Sequence, residues 1–216
     1  MALFKNMSNQ RISKMNFENN VFINCPFDDD YFPMLKPLLY TIKTIGFNPR
    51  ISLERNDSGE IRLNKIKELI ESSKYSIHDL SRAKAKKIGE YFRQNMSFEL
   101  GLDLGCRDYN SNDKFKGKRF LIFEEEKYST QKSLSDLSFA DCKCHKGEAE
   151  ELVYETRNWF AENGQKNVPS ASSIWDGYNV FYADLYEEKS KQGFKQKDIN
   201  RLPIAEFMDF IDEKIN

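Results

Sequence analysis

The chain has 216 residues, 39% of them hydrophobic and 31% charged, enough apolar material for one compact domain with an elaboration. Its 33 basic and 34 acidic side chains leave a formal charge of −1, so no net field steers it toward DNA or RNA. No apolar run is long enough to span a membrane, and MALFKNMSNQRISKMNF at the N-terminus lacks the apolar core and cleavage site of a secretory signal. A cytoplasmic protein is expected, with no membrane partner and no direct nucleic-acid binding, and with residues 1–18 as a leader.

NVFINC (20–25) is a short apolar run ending at Pro26, as a buried strand would. Residues 29–46 carry Leu35, Leu38, Leu39, Ile42 and Ile45 at helical spacing, closed by Gly46. Pro33 suits a first turn, whereas Pro37 predicts a kink or a late start. A second strand follows at 47–54, a turn at 55–59 and an amphipathic helix at 60–73. KYSIHDLS (74–81) reads as a third strand with a polar end, and QNMSFELGLDLG (94–105) as a helix. A fourth strand spans 117–125, a weaker fifth is predicted over 137–145, and a helix over 147–164 ends at Gly164.

Strand and helix alternate in this way when parallel strands are joined by right-handed crossovers. The fold class expected is α/β, a flavodoxin-like doubly wound sheet of order 2-1-3-4-5 over residues 19–165. Past Pro169 two helices, 174–190 and 203–215, form a C-terminal extension over 166–216, packed on the domain or on a second subunit. The basic clusters KAKK (84–87) and KFKGKR (114–119) fall in connections and read as solvated charge.

Sheets of this order bind ligands beyond the carboxyl ends of strands 1 and 3. The residues to inspect there are Asn24, Cys25, Pro26, Phe27 and Asp28 after strand 1, and Glu54 with Arg55 and Asn56 after strand 2. His78, Asp79, Ser81 and Arg82 follow from strand 3, and Asn95 and Glu99 from the third helix. No glycine-rich phosphate loop, phosphorylatable acidic pair or nucleophile elbow is present. The four cysteines read as reduced thiols. CKCH (142–145) has no second ligand pair, so no metal is expected.

Carboxylate chemistry remains. A buried carboxylate near a ring and hydroxyls can attack or stabilise the oxocarbenium-like centre formed when a glycosidic bond breaks. Nicotinamide leaves as a neutral molecule from a cationic ring and needs no general acid; a purine needs one, and Asp79 is a candidate. Glu99 is either catalytic or a solvated residue near the helix dipole. Asp79 and Asn95 each have a capping alternative. Phe27 and Tyr31 are core, lid or ligand contacts, and Arg82 clamps a phosphate or pairs with Glu90. Strand alternation sends His78 and Asp79 to opposite faces, and Asp79 is assigned to the cleft.

VFINCPFDDDYFPMLKPLL, IRLNKIKELIESSKYSIHDLSR and NMSFELGLDLG together resemble the nucleoside 2-deoxyribosyltransferase-like and TIR-like (Toll/interleukin-1 receptor) superfamily of bacterial proteins, over about residues 20–160. The resemblance implies that Glu99 is the sugar-capturing or NAD-cleaving glutamate. It also implies that Asp79 holds sugar or base, and that Phe27 stacks on the departing base. The serine–tryptophan–cysteine run that precedes the glutamate in many TIR domains is replaced here by NMSF. The implied activity is NAD hydrolysis with nicotinamide release, in bacterial antiviral defence or signalling, with NAD as substrate and no cofactor. A deoxyribosyltransferase and a non-enzymatic nucleotide-sensing or assembly module stay open as alternatives. A nucleotide or nucleoside partner is implied, and a homo-oligomer, because TIR-type sites are often completed across subunits.

Overall fold

A computed structural model describes residues 17–82, 89, 91, 94–138 and 140–215. Residues 1–16 of the expected leader, the KAKK cluster and Glu90, offered above as a partner for Arg82, lie outside the described residues.

Five strands form one parallel sheet in the order β2-β1-β3-β4-β5: β1 (Asn20–Asn24), β2 (Asn48–Ile51), β3 (Tyr75–Asp79), β4 (Arg119–Glu124) and β5 (Lys143–Cys144). Each connection between them is a crossover, so helices cover both faces and the strands can be apolar throughout. Val21, Ile23, Ile77, Leu121 and Phe123 point to one face, into the core that includes α1 (Phe32–Thr44) and α5 (Ala149–Glu162). Phe22 points the other way, onto Ile66, Leu69 and Ile70 of α2 (Arg62–Glu71) and Leu102 of α3 (Asn95–Tyr109). Asn24 stands beside His78 in the register, which puts the ends of β1 and β3 side by side.

Helix α1 departs from the expectation at Pro37. It starts at Phe32 and runs through the proline, whose ring is buried, forgoing the one amide bond Pro37 cannot donate. Its end is as the spacing suggests: Gly46 has φ +89°, its N–H donates to Lys43 O, and Phe47 N–H reaches back to Ile42 O.

The fifth strand is shorter than predicted. Residues 135–137 form a 3₁₀ turn, and Leu137, Ala140 and Cys142 pack as loop residues on the cluster of Leu80, Met96, Leu100 and Ile122. This burial draws the segment off the sheet, and only Lys143 and Cys144 pair with β4. A short helix, α4 (Ser129–Ser133), precedes it.

The extension consists of α6 (Ala171–Lys191), α7 (Gln196–Asn200) and α8 (Ile204–Ile215), with α7 inside the stretch read as a linker. Ile174, Tyr178, Phe181 and Leu185 share one face of α6 and join Phe207, Phe210 and Ile211 of α8 in the core that also holds α1. Of the two placements expected, the extension takes the first: it packs on its own domain. No helix among the described residues is long and apolar enough to cross a membrane.

Candidate functional site

The site is built where β1 and β3 end and α3 begins. Helix α3 carries Met96, Glu99, Leu100 and Asp103 on its buried face, so two carboxylates one turn apart face inward. Asp103 is anchored. Ser76 Oγ donates to its Oδ2 at 2.5 Å, His78 Nε2 lies 3.2 Å from the same oxygen, and Lys118 Nζ lies 3.1 Å from Oδ1. Lys118 also donates to the carbonyls of Ile70, at 2.8 Å, and of Ser73. Asn24 completes the chain, its amide nitrogen donating to Met96 O at 2.8 Å and meeting His78 Nδ1 at 2.9 Å. With Nδ1 accepting, the imidazole proton sits on Nε2, toward Asp103. The network pins α3 to β1 and β3 and thereby fixes where Glu99 points.

Glu99 itself is 6% exposed. Its one ion pair among the described residues is with Arg62, whose Nη2 donates to Oε1 at 3.3 Å from a largely solvent-exposed side chain. Burial pushes the Glu99 carboxyl above the usual carboxylate range, and the opposing charge of Arg62 does not cancel that rise. The Cys25 thiol, at the end of β1, is raised by burial and then by the fields of Asp79, Glu99 and Asp28.

Asp79 occupies different surroundings. The Tyr31 hydroxyl donates to its Oδ2, the Ser81 N–H donates to Oδ1 at 2.8 Å, and His145 Nε2 stands 3.1 Å from Oδ2. Gly147 N–H donates to His145 Nδ1, which leaves the ring proton on Nε2, facing Asp79. Burial alone would raise the Asp79 carboxyl, but His145, Ser81 and Tyr31 outweigh it and hold it below its ordinary value. His78 and Asp79 point to opposite faces, as strand alternation requires: His78 faces α3, and Asp79 faces Tyr31 and His145. Neither is open to solvent.

The remaining expected residues divide. Asp28 accepts from Arg82 Nη2 at 3.0 Å, an ion pair that closes across the strand ends. Pro26 is buried, and Phe27 is half-buried against the main core. Glu54 is taken up by Arg50, which holds it through Nε at 3.0 Å and Nη2 at 2.8 Å, while Ile51 N–H donates to Oε2. Its carboxylate finishes β2 and is not presented to the groove. Asn95 is exposed, and because Gln94 is the N-cap, its capping alternative is removed. In the CKCH segment, Cys144 Sγ donates to Glu125 O at 3.1 Å and His145 is engaged as above.

Sequence reasoning passed over Arg62, Asp103 and His145. Arg62 had a signal: a cation in the first turn of α2, where the helix dipole disfavours it, calls for a nearby anion. Asp103 had one too, at i+4 from Glu99 in an otherwise apolar face. His145 had none.

No family model matches the chain, and no curated protein matches it.

Proposed function

We propose that the protein cleaves an N-glycosidic bond, with NAD as substrate and nicotinamide as leaving group, and with Glu99 as the catalytic carboxylate. The observation that carries this reading is Glu99 itself, a buried acid of raised pKa at the switch point of a doubly wound sheet, countered by one solvent-facing arginine. A carboxylate kept in such surroundings costs stability, and the cost is recovered when a positive centre forms beside it.

In this reaction the bond between C1′ and the nicotinamide nitrogen breaks, and its electron pair neutralises the pyridinium ring. Glu99 attacks or stabilises the cationic sugar carbon. A water oxygen then bonds to C1′, displacing the Glu99 carboxylate where it has bonded there, and its proton passes to solvent. Asn24, His78 and Asp103 act as positioning residues that hold α3. Asp79, saturated by three partners, positions Tyr31 and the turn at His145. Arg82 with Asp28 stands where a substrate phosphate would compete for the guanidinium.

The test is a product assay with NAD and with deoxynucleosides side by side, with Glu99→Gln as control. Nicotinamide release that disappears in the variant supports the reading. Base exchange between deoxynucleosides in place of hydrolysis would establish the transferase alternative, and activity that persists in Glu99→Gln would remove Glu99 from the mechanism.

A further inference from the structure

The C-terminal extension borders a cavity whose lining includes neither Glu99 nor Asp79. It measures about 670 Å³ and lies between the start of α1 and helices α6 and α7. That volume falls among those of small-molecule sites. Three cations line it, Lys36, Lys197 and Arg201, against one carboxylate, Asp29. Asp29 and Arg201 meet weakly at 3.6 Å, and both are largely in solvent.

Lys36 is the unusual member. It is 5% exposed, and among the described residues no carboxylate lies within ion-pair distance of it. Its ammonium has three protons to donate and one acceptor, Asn200 O at 3.3 Å, with the rings of Tyr182 and Phe207 at 5.3 and 5.6 Å. A lysine that merely covers apolar surface extends its tip into water. Here the tip is enclosed at a cavity wall, and burial lowers its pKa, as expected of a cation lacking an anion. Beside it, Tyr178 and Tyr182 lie one turn apart on α6 with centroids 5.9 Å apart, and Trp175 stacks on Tyr178 at 5.8 Å. The wall thus joins an anion-seeking end to an aromatic one.

We propose that this cavity binds a mononucleotide, its phosphate on Lys36, Lys197 and Arg201 and its base along Tyr178 and Tyr182. The inference is independent of the chemistry assigned to Glu99.

The test is calorimetry of the full chain with AMP, GMP, CMP and UMP, and with inorganic phosphate and adenosine as fragments. At least one mononucleotide is expected to bind one per chain and more tightly than either fragment. Affinity should fall about tenfold or more in Lys36→Met and in Arg201→Ala, and stay unchanged in Glu99→Gln. Arg201 is a surface side chain, so its variant carries the test even where Lys36→Met fails to fold. The proposal is overturned if no mononucleotide binds, if a fragment binds as tightly, or if binding survives Arg201→Ala. Loss of binding in Glu99→Gln would also overturn it, by placing the nucleotide in the groove.

Discussion

Glu99 and Asp103 sit one turn apart on the buried face of α3, yet their acidities are driven in opposite directions. Burial would raise both. At Asp103 the His78, Lys118 and Ser76 contacts outweigh it, and at Glu99 the Arg62 charge does not. One helix therefore carries an anion its partners favour and a carboxyl whose charge burial disfavours, separated by what surrounds each.

Replacing Glu99 with Gln should abolish nicotinamide release, by on the order of 10³-fold or more in kcat/KM. It should also leave the protein as stable or more stable, by up to about 1 kcal/mol, because it removes a carboxylate that burial disfavours. Paired kinetic and urea-unfolding measurements check this. A large destabilisation would make Glu99 a structural residue.

The pH profile follows from the same group. With Glu99 as the proposed catalytic carboxylate, activity should fall on acidification with a midpoint above the ordinary 4.5, reflecting the raised pKa. Arg62 opposes that rise, so Arg62→Met should shift the acid limb to still higher pH. A limb that stays in place in Arg62→Met would show that another group sets it.

Stability should respond to pH through two opposing contributions. Asp79 and Asp103 bind protons less tightly when folded, so the stability they supply is present above the unfolded value near 3.8 and is lost as pH falls through their lower folded values. Glu99 binds its proton more tightly when folded, so its contribution declines as pH rises from 4.5 through its folded value. Removing the group should expose the difference: Asp79→Asn and Asp103→Asn should each cost about 3 kcal/mol at neutral pH, the latter by leaving Lys118 as a buried unpaired cation. Denaturant titrations across pH 3–7 check the signs.

Assembly is expected to matter for activity. Ile61 and Phe98, at 66% and 56% exposure, adjoin the ion-paired Arg62 and Glu99 in sequence and leave apolar surface beside that pair. If a second copy covers it, the rate per subunit should rise with protein concentration, and Phe98→Asp should both dissociate the assembly and lower activity. Sedimentation with parallel assays checks this. A rate that stays flat on dilution through dissociation counts against it.

The sheet order was legible in the sequence because apolar runs, helical spacings and Gly/Pro stops alternate without ambiguity, and crossover handedness then leaves few topologies. Glu99 was legible as an acid in an apolar face. What escaped were pairings between segments far apart in the chain: Tyr31 with Asp79 across 48 residues, and Arg62 with Glu99 across 37. The partners of Asp79 escaped for the same reason, since alternation assigns opposite faces without saying which helices cover each. Glu54 shows a subtler miss. Its place at a strand end suggested a ligand contact, while Arg50, four residues earlier, was already positioned to capture it.

The two outer strands set how copies of this protein can associate. β2 carries Pro49, which has no N–H to offer a neighbouring chain, and β5 offers two residues, one of them Lys143. Growth by adding strand to strand is blocked at both margins, so filaments continuous through their sheets are closed to it. Any higher-order particle must be joined through helices and loops.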